Sequence, residues 1–282
     1  MKKREIILTR IGQLPVLPAS VQKAMELLRD SEVDLGRLAQ VMQHDPGITA
    51  NILRLVNSAY FGAVHPISTL RDAVVRLGAK RVTQVLLTVA VLPRISGEQP
   101  GYDLPQDALL DHSLAIAVAS ELVAVECGIK APAYTFTAGL LANIGKIVLD
   151  QFLGEHGEEV VQLAEQEGVS FESAECRVLG TDHVEVGAEL LRFWNLPGEI
   201  VDVVRYRLQP EDCPRPNPAL DLVHAGDAIA RLTGMGQGLD GMQYRISEAV
   251  MGRLQLDHDK VEQIMIALLE HVQAIKALFA QG

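Results

Sequence analysis

Apolar residues recur at the spacing of an α-helix along almost the whole chain. One stripe at positions i, i+3, i+4 and i+7 begins at Val21, and a second begins at Leu35. No segment alternates between apolar and polar residues clearly enough to predict a β-strand. Aromatic residues make up only 4% of the chain, whereas sheets tend to be enriched in them. The sequence therefore predicts an all-α protein.

Short polar residues and prolines mark where several helices begin. Asp34 is predicted to cap the helix of the second stripe, and Pro46 suits the first position of the next helix. We also expect Ser68 to cap a helix running toward residue 78, and Asp182 to cap a later one. Pro132 is predicted to open the helix that carries Asn143.

Composition divides the chain near residue 95. The glycine- and proline-containing segment Ser96–Gly101 is the clearest linker, which predicts a helical subdomain at 1–95, a linker at 96–106 and a second helical subdomain at 107–282. Residues 1–93 hold 12 Lys/Arg and 7 Asp/Glu, a net charge of +5, and the remainder carries −16. The simpler interpretation is two differently solvated surfaces; the alternative is that the basic part docks on the acidic part or on an acidic partner.

Composition also restricts the class of protein. A pI near 5.2 and a net charge of −11 argue against general nucleic-acid binding. Three dispersed cysteines without a CxxC pair fit a reduced cytoplasmic protein. The longest apolar stretch, Val85 to Leu92, is too short to span a bilayer, and the N-terminus lacks an apolar region of signal-peptide length. We therefore expect a cytoplasmic protein without membrane insertion.

The segment 140–149, which reads LLANIGKIVL, resembles the central segment of HD-superfamily metal phosphohydrolases, roughly L-L-H-D-I-G-K in active members. Ala142 and Asn143 stand where the metal-binding histidine and aspartate would be. The following Ile-Gly-Lys is kept. The resemblance therefore implies a helical frame whose ligands have been lost.

Further motifs are similar to those of one subfamily, the HDOD domains, in order and spacing. They are Asp45–Gly47, Leu53–Gly62, Pro66–Leu70, Ala73–Gly78, Asp182–Ala188 and Trp194–Pro197. The resemblance implies an N-terminal helical bundle packed on a degenerate HD-type bundle. It also implies a non-catalytic bacterial signalling module, related to HD-GYP cyclic-di-GMP phosphodiesterases, that has no cofactor and binds other proteins. Receiver domains, cyclic-di-GMP enzymes and kinases are the partners it suggests.

The resemblance can be carried over residue by residue. The positions with a counterpart in the HD-type site are His112, Ala142, Asn143, Lys146, His183 and Asp227. A further His-His pair would fall near Arg205-Tyr206-Arg207 and is lost. Alanine offers no metal ligand, and asparagine offers only a neutral carbonyl. Arg205 or Arg207 could place a positive charge where a second metal would lie, so we expect neither a bound metal nor phosphohydrolase activity.

Alternatives remain for the residues that survive. His112 and His183 could be hydrogen-bonded core residues, or they could form a one-metal site with His224 and Asp227. Asp227 could be a buried carboxylate paired with a histidine or with Lys146.

Lys146 is expected to pair with Asp227 or Asn143. Alternatively, Lys146, His224, Arg205 and Arg207 could bind a nucleotide or another anion in the vacated cavity. A third possible function is that of a weak metal-dependent phosphohydrolase with unusual metal ligands.

Polar and aromatic residues outside this site have two or more possible roles. Asn57 and Ser58 could form a hydrogen-bonded helix end or kink, or they could form a contact that joins the two domains or docks a partner. Trp194 is predicted to be a core or interdomain anchor. The basic residues Arg71, Arg76, Lys80 and Arg81 could simply solvate a helix, or they could dock an acidic partner.

Overall fold

The computed structural model describes residues 3–14, 16–28, 33–57, 66–236, 238–239 and 245–279, without the side chains of Lys80 and residues 277–279. Within these ranges the protein is helical and has no β-strand, so the all-α prediction is confirmed. Helices before residue 96 are α1 (Lys3–Ile11), α2 (Ala19–Leu28), α3 (Leu35–Gln43), α4 (Pro46–Val56) and α5 (Leu70–Ile95).

Later helices are α6 (Ala108–Glu126), α7 (Thr135–Leu140), α8 (Lys146–Glu167), α9 (Phe171–Leu179), α10 (His183–Phe193), α11 (Gly198–Tyr206), α12 (Pro218–Leu232), α13 (Glu248–Leu254) and α14 (His258–Phe279). Short 3-10 turns lie at Pro100–Tyr102 and Pro210–Asp212.

Contacts between residues divide the chain into two compact units. The larger comprises Met1–Pro15 and Arg94–Leu268, and the smaller comprises Val16–Pro93 and Leu269–Gly282. The N-terminal segment therefore belongs to the larger unit and the C-terminal segment to the smaller one, unlike in the predicted subdomains at 1–95 and 107–282. The boundaries of those subdomains stay a prediction. The segment predicted as a linker belongs to the larger unit, where Tyr102 and Leu104 are buried and the Gly101 amide donates to Asp150 Oδ1 at 2.8 Å.

Side-chain caps begin the helices of the smaller unit largely as predicted. Asp34 Oδ1 accepts the amides of Gly36 and Arg37 at the start of α3, and Asp45 caps α4. The predicted Ser68 cap is wrong, because the hydroxyl of the next residue, Thr69, accepts the Asp72 amide at 3.1 Å. Within α5, Gly78 has a φ of 68°, a conformation available to glycine that kinks the helix.

Helix α6 is the centre of the larger unit. It packs against α7 and α12, and close approach requires small residues there, since a Cβ on Gly226 would lie 2.8 Å from the Ser120 amide nitrogen. By length and composition α6 could cross a membrane, but 78% of its most apolar window is buried inside the protein. Its apolar character is therefore explained by its central packing.

The segment that carries Asn143 is a turn and not a helix, so that prediction was wrong. Helix α7 begins at Thr135 and ends at Leu140, and residues 141–145 form successive tight turns before α8. Gly145 lies against the His183 carbonyl and the Gly187 amide, where a Cβ would collide with backbone. This close approach of α8 to α10 brings Asn143 and His183 into the same region of the core.

Candidate functional site

The side chain of Arg207 lies at the centre of the candidate site and is fully buried. It follows the last residue of α11. Its Nη2 donates to Asn143 Oδ1 at 2.6 Å and lies 3.1 Å from His183 Nε2. Its Nε donates to Asp227 Oδ2 at 3.3 Å, and its Nη1 donates to the Val204 carbonyl at 3.3 Å. One guanidinium therefore joins three positions that correspond to the HD-type site.

Asp227, on α12, is the buried carboxylate of this cluster. Besides Arg207, it accepts a hydrogen bond from Arg231 Nε on Oδ1 at 3.1 Å, and His112 Nε2 lies 3.4 Å from the same oxygen. Burial alone would raise the pKa of Asp227, but Arg231, His112 and Arg207 outweigh it and hold this pKa well below its usual value. The group is therefore an anion paired with two guanidinium groups.

The tautomer of His183 follows from its partners. Because the Arg207 guanidinium can only donate, His183 Nε2 must accept, and the ring proton lies on Nδ1. His183 Nδ1 donates to Glu175 Oε2 at 2.8 Å, and Tyr102 donates to Glu175 Oε1 at 2.6 Å. A carboxylate that fixes Nδ1–H and turns Nε2 inward is the usual support of a metal-binding histidine. Here the support is present and Nε2 faces a guanidinium.

His112 and His224 are both buried and hydrogen-bonded. His112 Nδ1 lies 3.0 Å from the Met235 carbonyl, and burial lowers the pKa of His112 more than the neighbouring Asp227 raises it. His224 Nδ1 lies 2.6 Å from the Arg207 carbonyl, while its Nε2 accepts the Ser247 amide at 2.9 Å. Backbone groups occupy both ring nitrogens of His224, which therefore offers no ring nitrogen to a metal or an anion.

Lys146 begins α8 and is 1% exposed. Its Nζ lies 5.0 Å from the centroid of the Tyr102 ring, a cation–π distance. Asn143 Oδ1 is taken by Arg207, and the predicted pairing of Lys146 with Asp227 or Asn143 stays a prediction. Ala142 is buried in the preceding turn.

The remaining predicted residues lie apart from the Arg207 cluster. Arg205 is half-buried, with its guanidinium 5.9 Å from the Tyr206 ring. Trp194 is buried in the larger unit, where Arg94 lies 5.7 Å from its ring. The predicted docking residues Arg71, Arg76 and Arg81 are exposed, and the Lys80 side chain lies outside the described part of the chain.

Asn57 ends α4 and hydrogen-bonds to backbone on both sides. Its Nδ2 donates to the carbonyls of Leu53 and Ile67, each at 2.8 Å, and its Oδ1 accepts the Ile67 amide at 2.6 Å. These bonds match the predicted hydrogen-bonded helix end. Ser58, predicted with it, lies outside the described residues.

The residues present do not fit a metal. Among the described residues, no three His, Cys, Asp or Glu side chains are grouped so that they could hold a metal ion. His183 Nε2, Asn143 Oδ1 and Asp227 Oδ2 all face the Arg207 guanidinium, and the HD-type resemblance predicts ligand positions at these three residues. A cation that is part of the chain therefore takes the donors that a metal would need.

The sequence did not single out Glu175, Tyr102 or Arg231. Glu175 lies eight residues before His183 on another helix, and Tyr102 lies in the segment predicted as a linker. Arg231 follows Asp227 by four residues, and this helical spacing was the one local signal that could have indicated their pairing.

Comparison with known proteins agrees with this architecture. The family model of the HDOD domain matches residues 14–210. A crystal structure of an HDOD domain protein with unknown function from Geobacter sulfurreducens is 29% identical, with a TM-score of 0.73 and 97% of each chain covered. A candidate phosphohydrolase from Shewanella amazonensis SB2B is 21% identical, with a TM-score of 0.70 and 96% of each chain covered.

A sequence relative comes from Treponema pallidum (strain Nichols). This uncharacterized protein is 24% identical over 204 residues, which are 71% of the present chain. The match spans only 38% of that relative's length. The family model, in contrast, spans most of the chain described here, and the chain therefore belongs to the HDOD domain family.

Proposed function

We propose that this protein is a non-catalytic signal-transduction module that acts by binding other proteins. The observation that carries the proposal is the buried Arg207 guanidinium, which contacts Asn143, His183 and Asp227 at once. A guanidinium group offers only N–H donors and no lone pair, so it cannot serve as a metal ligand.

A fixed guanidinium argues against metal-dependent hydrolysis. A catalytic metal polarises phosphate and generates hydroxide from bound water at neutral pH. A divalent cation in this cluster would meet the charge of Arg207 at short range in a region with little water to screen it. Asn143 would offer that ion a neutral oxygen where a carboxylate is preferred.

A module without turnover can transmit a signal only by binding partners differently in different states. The resemblance to HDOD domains suggests a receiver domain, a cyclic-di-GMP enzyme or a kinase as the partner. We place this activity in the cytoplasm, which agrees with dispersed cysteines that form no CxxC pair.

The alternative of a nucleotide or anion regulator has less support. It assumed a vacated cavity, and the Arg207 side chain lies there, fully buried. Lys146, its intended anion-binding residue, is 1% exposed and lies against the Tyr102 ring. The phosphohydrolase alternative meets the same guanidinium, and the similarity to the Shewanella amazonensis protein, at 21% identity, concerns the fold alone.

The test is hydrolysis of cyclic-di-GMP and of bis(p-nitrophenyl) phosphate by the full chain, with Mn²⁺, Fe²⁺ or Mg²⁺ added. We expect the same background rate for the wild type and for His183→Gln, which removes the imidazole. Turnover that follows the protein through purification and is lost in a folded His183→Gln variant would show that the site is catalytic.

A further inference from the structure

A polar cleft lies in the smaller unit between α3 and the start of α5. It has a volume of about 570 Å³, and its polar lining includes Arg37, Gln40 and Gln43 from α3 and Arg71 from α5. All four of these side chains are exposed. The cleft therefore brings two positive charges from separate helices to one concave surface.

The guanidinium groups of Arg37 and Arg71 are available to a ligand. Neither makes a hydrogen bond or an ion pair with a residue that the structure describes. Arg76, farther along α5, differs because it does interact within the chain. Guanidinium groups bind carboxylates through two parallel hydrogen bonds, so this pair is suited to acidic side chains.

The other polar groups of the cleft favour a peptide over a simple anion. Asp34 also lines it, and its Oδ1 accepts hydrogen bonds from the amides of Gly36 and Arg37 at 2.8 and 3.1 Å. Gln40 and Gln43 present amides that both donate and accept, as peptide backbone requires.

The charge of the two units points the same way. The smaller unit holds 9 Lys/Arg and 7 Asp/Glu, a net charge of +2. The larger unit holds 16 and 29, a net charge of −13. The basic character predicted for residues 1–93 thus comes partly from α1, whose Arg4 pairs with Glu185 in the larger unit. In the smaller unit, Arg37 and Arg71 are the positively charged residues that line the cleft.

We infer that this cleft binds an acidic segment of a partner protein. Arg37 and Arg71 form ion pairs with its carboxylates, and Gln40 and Gln43 form hydrogen bonds with its backbone. The inference rests on the proposed function, since it names the surface through which a protein-binding module engages its partner. Of the predicted docking group of Arg71, Arg76, Lys80 and Arg81, it uses Arg71 and adds Arg37, Gln40 and Gln43.

The experiment uses the full chain and a fluorescein-labelled peptide, Glu-Leu-Glu-Glu-Leu-Glu, followed by fluorescence anisotropy. The matched probe is Gln-Leu-Gln-Gln-Leu-Gln, which keeps the shape and loses the charge. We expect saturable binding of the acidic probe alone, weakened about tenfold by Arg37→Gln or Arg71→Gln, as expected for loss of a charged hydrogen bond. Arg76→Gln serves as the control on the same helix and should bind as the wild type does.

Equal binding by all variants, or no saturable binding, would overturn the inference. Displacement of the probe by inorganic phosphate, added at the same concentration of negative charge as an unlabelled acidic peptide, would also overturn it, because the cleft would then be a phosphate site. A pull-down with the wild type and the Arg37→Gln/Arg71→Gln double variant separates this failure from that of the proposed function. If both proteins retain the same partner, the cleft is not the binding site but the protein still acts by binding proteins. If the wild type retains no specific partner, the proposed protein-binding function is wrong.

Discussion

Arg207 Nη2 lies 2.6 Å from Asn143 Oδ1, although the two residues are 64 positions apart in sequence. They form a hydrogen bond in the core, at positions where the resemblance to HD-type enzymes predicts a lost carboxylate and an added positive charge. The carboxylate of Asp227 pairs with both Arg207 and Arg231, so the amide and the charged groups belong to a single buried network.

Replacing Arg207 tests whether this network stabilises the fold. We predict that Arg207→Ala lowers the free energy of unfolding by about 3–5 kcal/mol, because the buried Asp227 carboxylate loses a partner. The half-buried neighbour Arg205 is the matched control, and Arg205→Ala should change this free energy by no more than about 0.5 kcal/mol. Chemical denaturation of both variants measures the difference. Equal effects would show that Arg207 is not the centre of the network.

The hydroxyl of Tyr102, a residue in the connection between α5 and α6, is predicted to stabilise the folded protein. Its hydroxyl donates to the buried Glu175 at 2.6 Å, so Tyr102→Phe leaves that oxygen without this donor. We expect a loss of about 1–3 kcal/mol in unfolding free energy. The control Tyr134→Phe removes a hydroxyl bonded to Asn217 at a half-buried position and should cost less. A larger loss for Tyr134→Phe would contradict this ranking.

Acid should destabilise the protein through two buried groups. The pKa of His112 is lowered in the folded state, so the unfolded chain takes up that proton first, and stability falls as pH drops below about 6.5. The pKa of Asp227 is also depressed, and its contribution is present above its unfolded pKa of about 4 and is lost in stronger acid.

The measurement is the free energy of unfolding between neutral pH and about pH 5, a range that lies above the unfolded pKa of Asp227. His112→Asn should flatten the decline by up to about 1.4 kcal/mol per pH unit, whereas the exposed His258→Asn controls for loss of an imidazole. A decline that is equally steep in His112→Asn would mean that the proton is taken up elsewhere.

Asn57 is predicted to support the smaller unit by joining the end of α4 to Ile67. Because the site is exposed, we expect Asn57→Ala to lower the free energy of unfolding by about 1 kcal/mol. Asn51→Ala, earlier in α4, removes an amide for which no such bonds are described and should have a smaller effect. If Asn57→Ala melts as the wild type does yet loses binding to an identified partner, Asn57 is a recognition residue instead.

The sequence predicted the helical class and several helix starts because these depend on local chemistry. Caps such as Asp34 and Asp182 act on amides two or three residues away, so a short window contains all the relevant partners. The cap of α5 shows the limit of this reasoning. Ser68 and Thr69 are chemically similar neighbours, and the chain direction at that point decides which hydroxyl caps the helix.

The centre of the candidate site could be predicted only in part. The resemblance to the HD-type pattern predicted that Asn143, His183 and Asp227 belong to the site. It left Arg205 and Arg207 as equal candidates for a nearby positive charge. They differ by two positions at the end of α11, which places one side chain in the core and the other at the surface. Glu175 and Tyr102 could not be found this way, because their contacts join distant segments.

The Arg207 guanidinium contacts the side-chain atoms of Asn143, His183 and Asp227 that a metal would need as ligands. The most direct test is the metal content of the purified full chain after incubation with Mn²⁺, Fe²⁺ or Zn²⁺ and removal of unbound ions, measured by inductively coupled plasma mass spectrometry. We predict far less than one metal ion per chain, with no difference between the wild type and His183→Gln. One metal ion per chain in the wild type that is lost in a folded His183→Gln variant would contradict it.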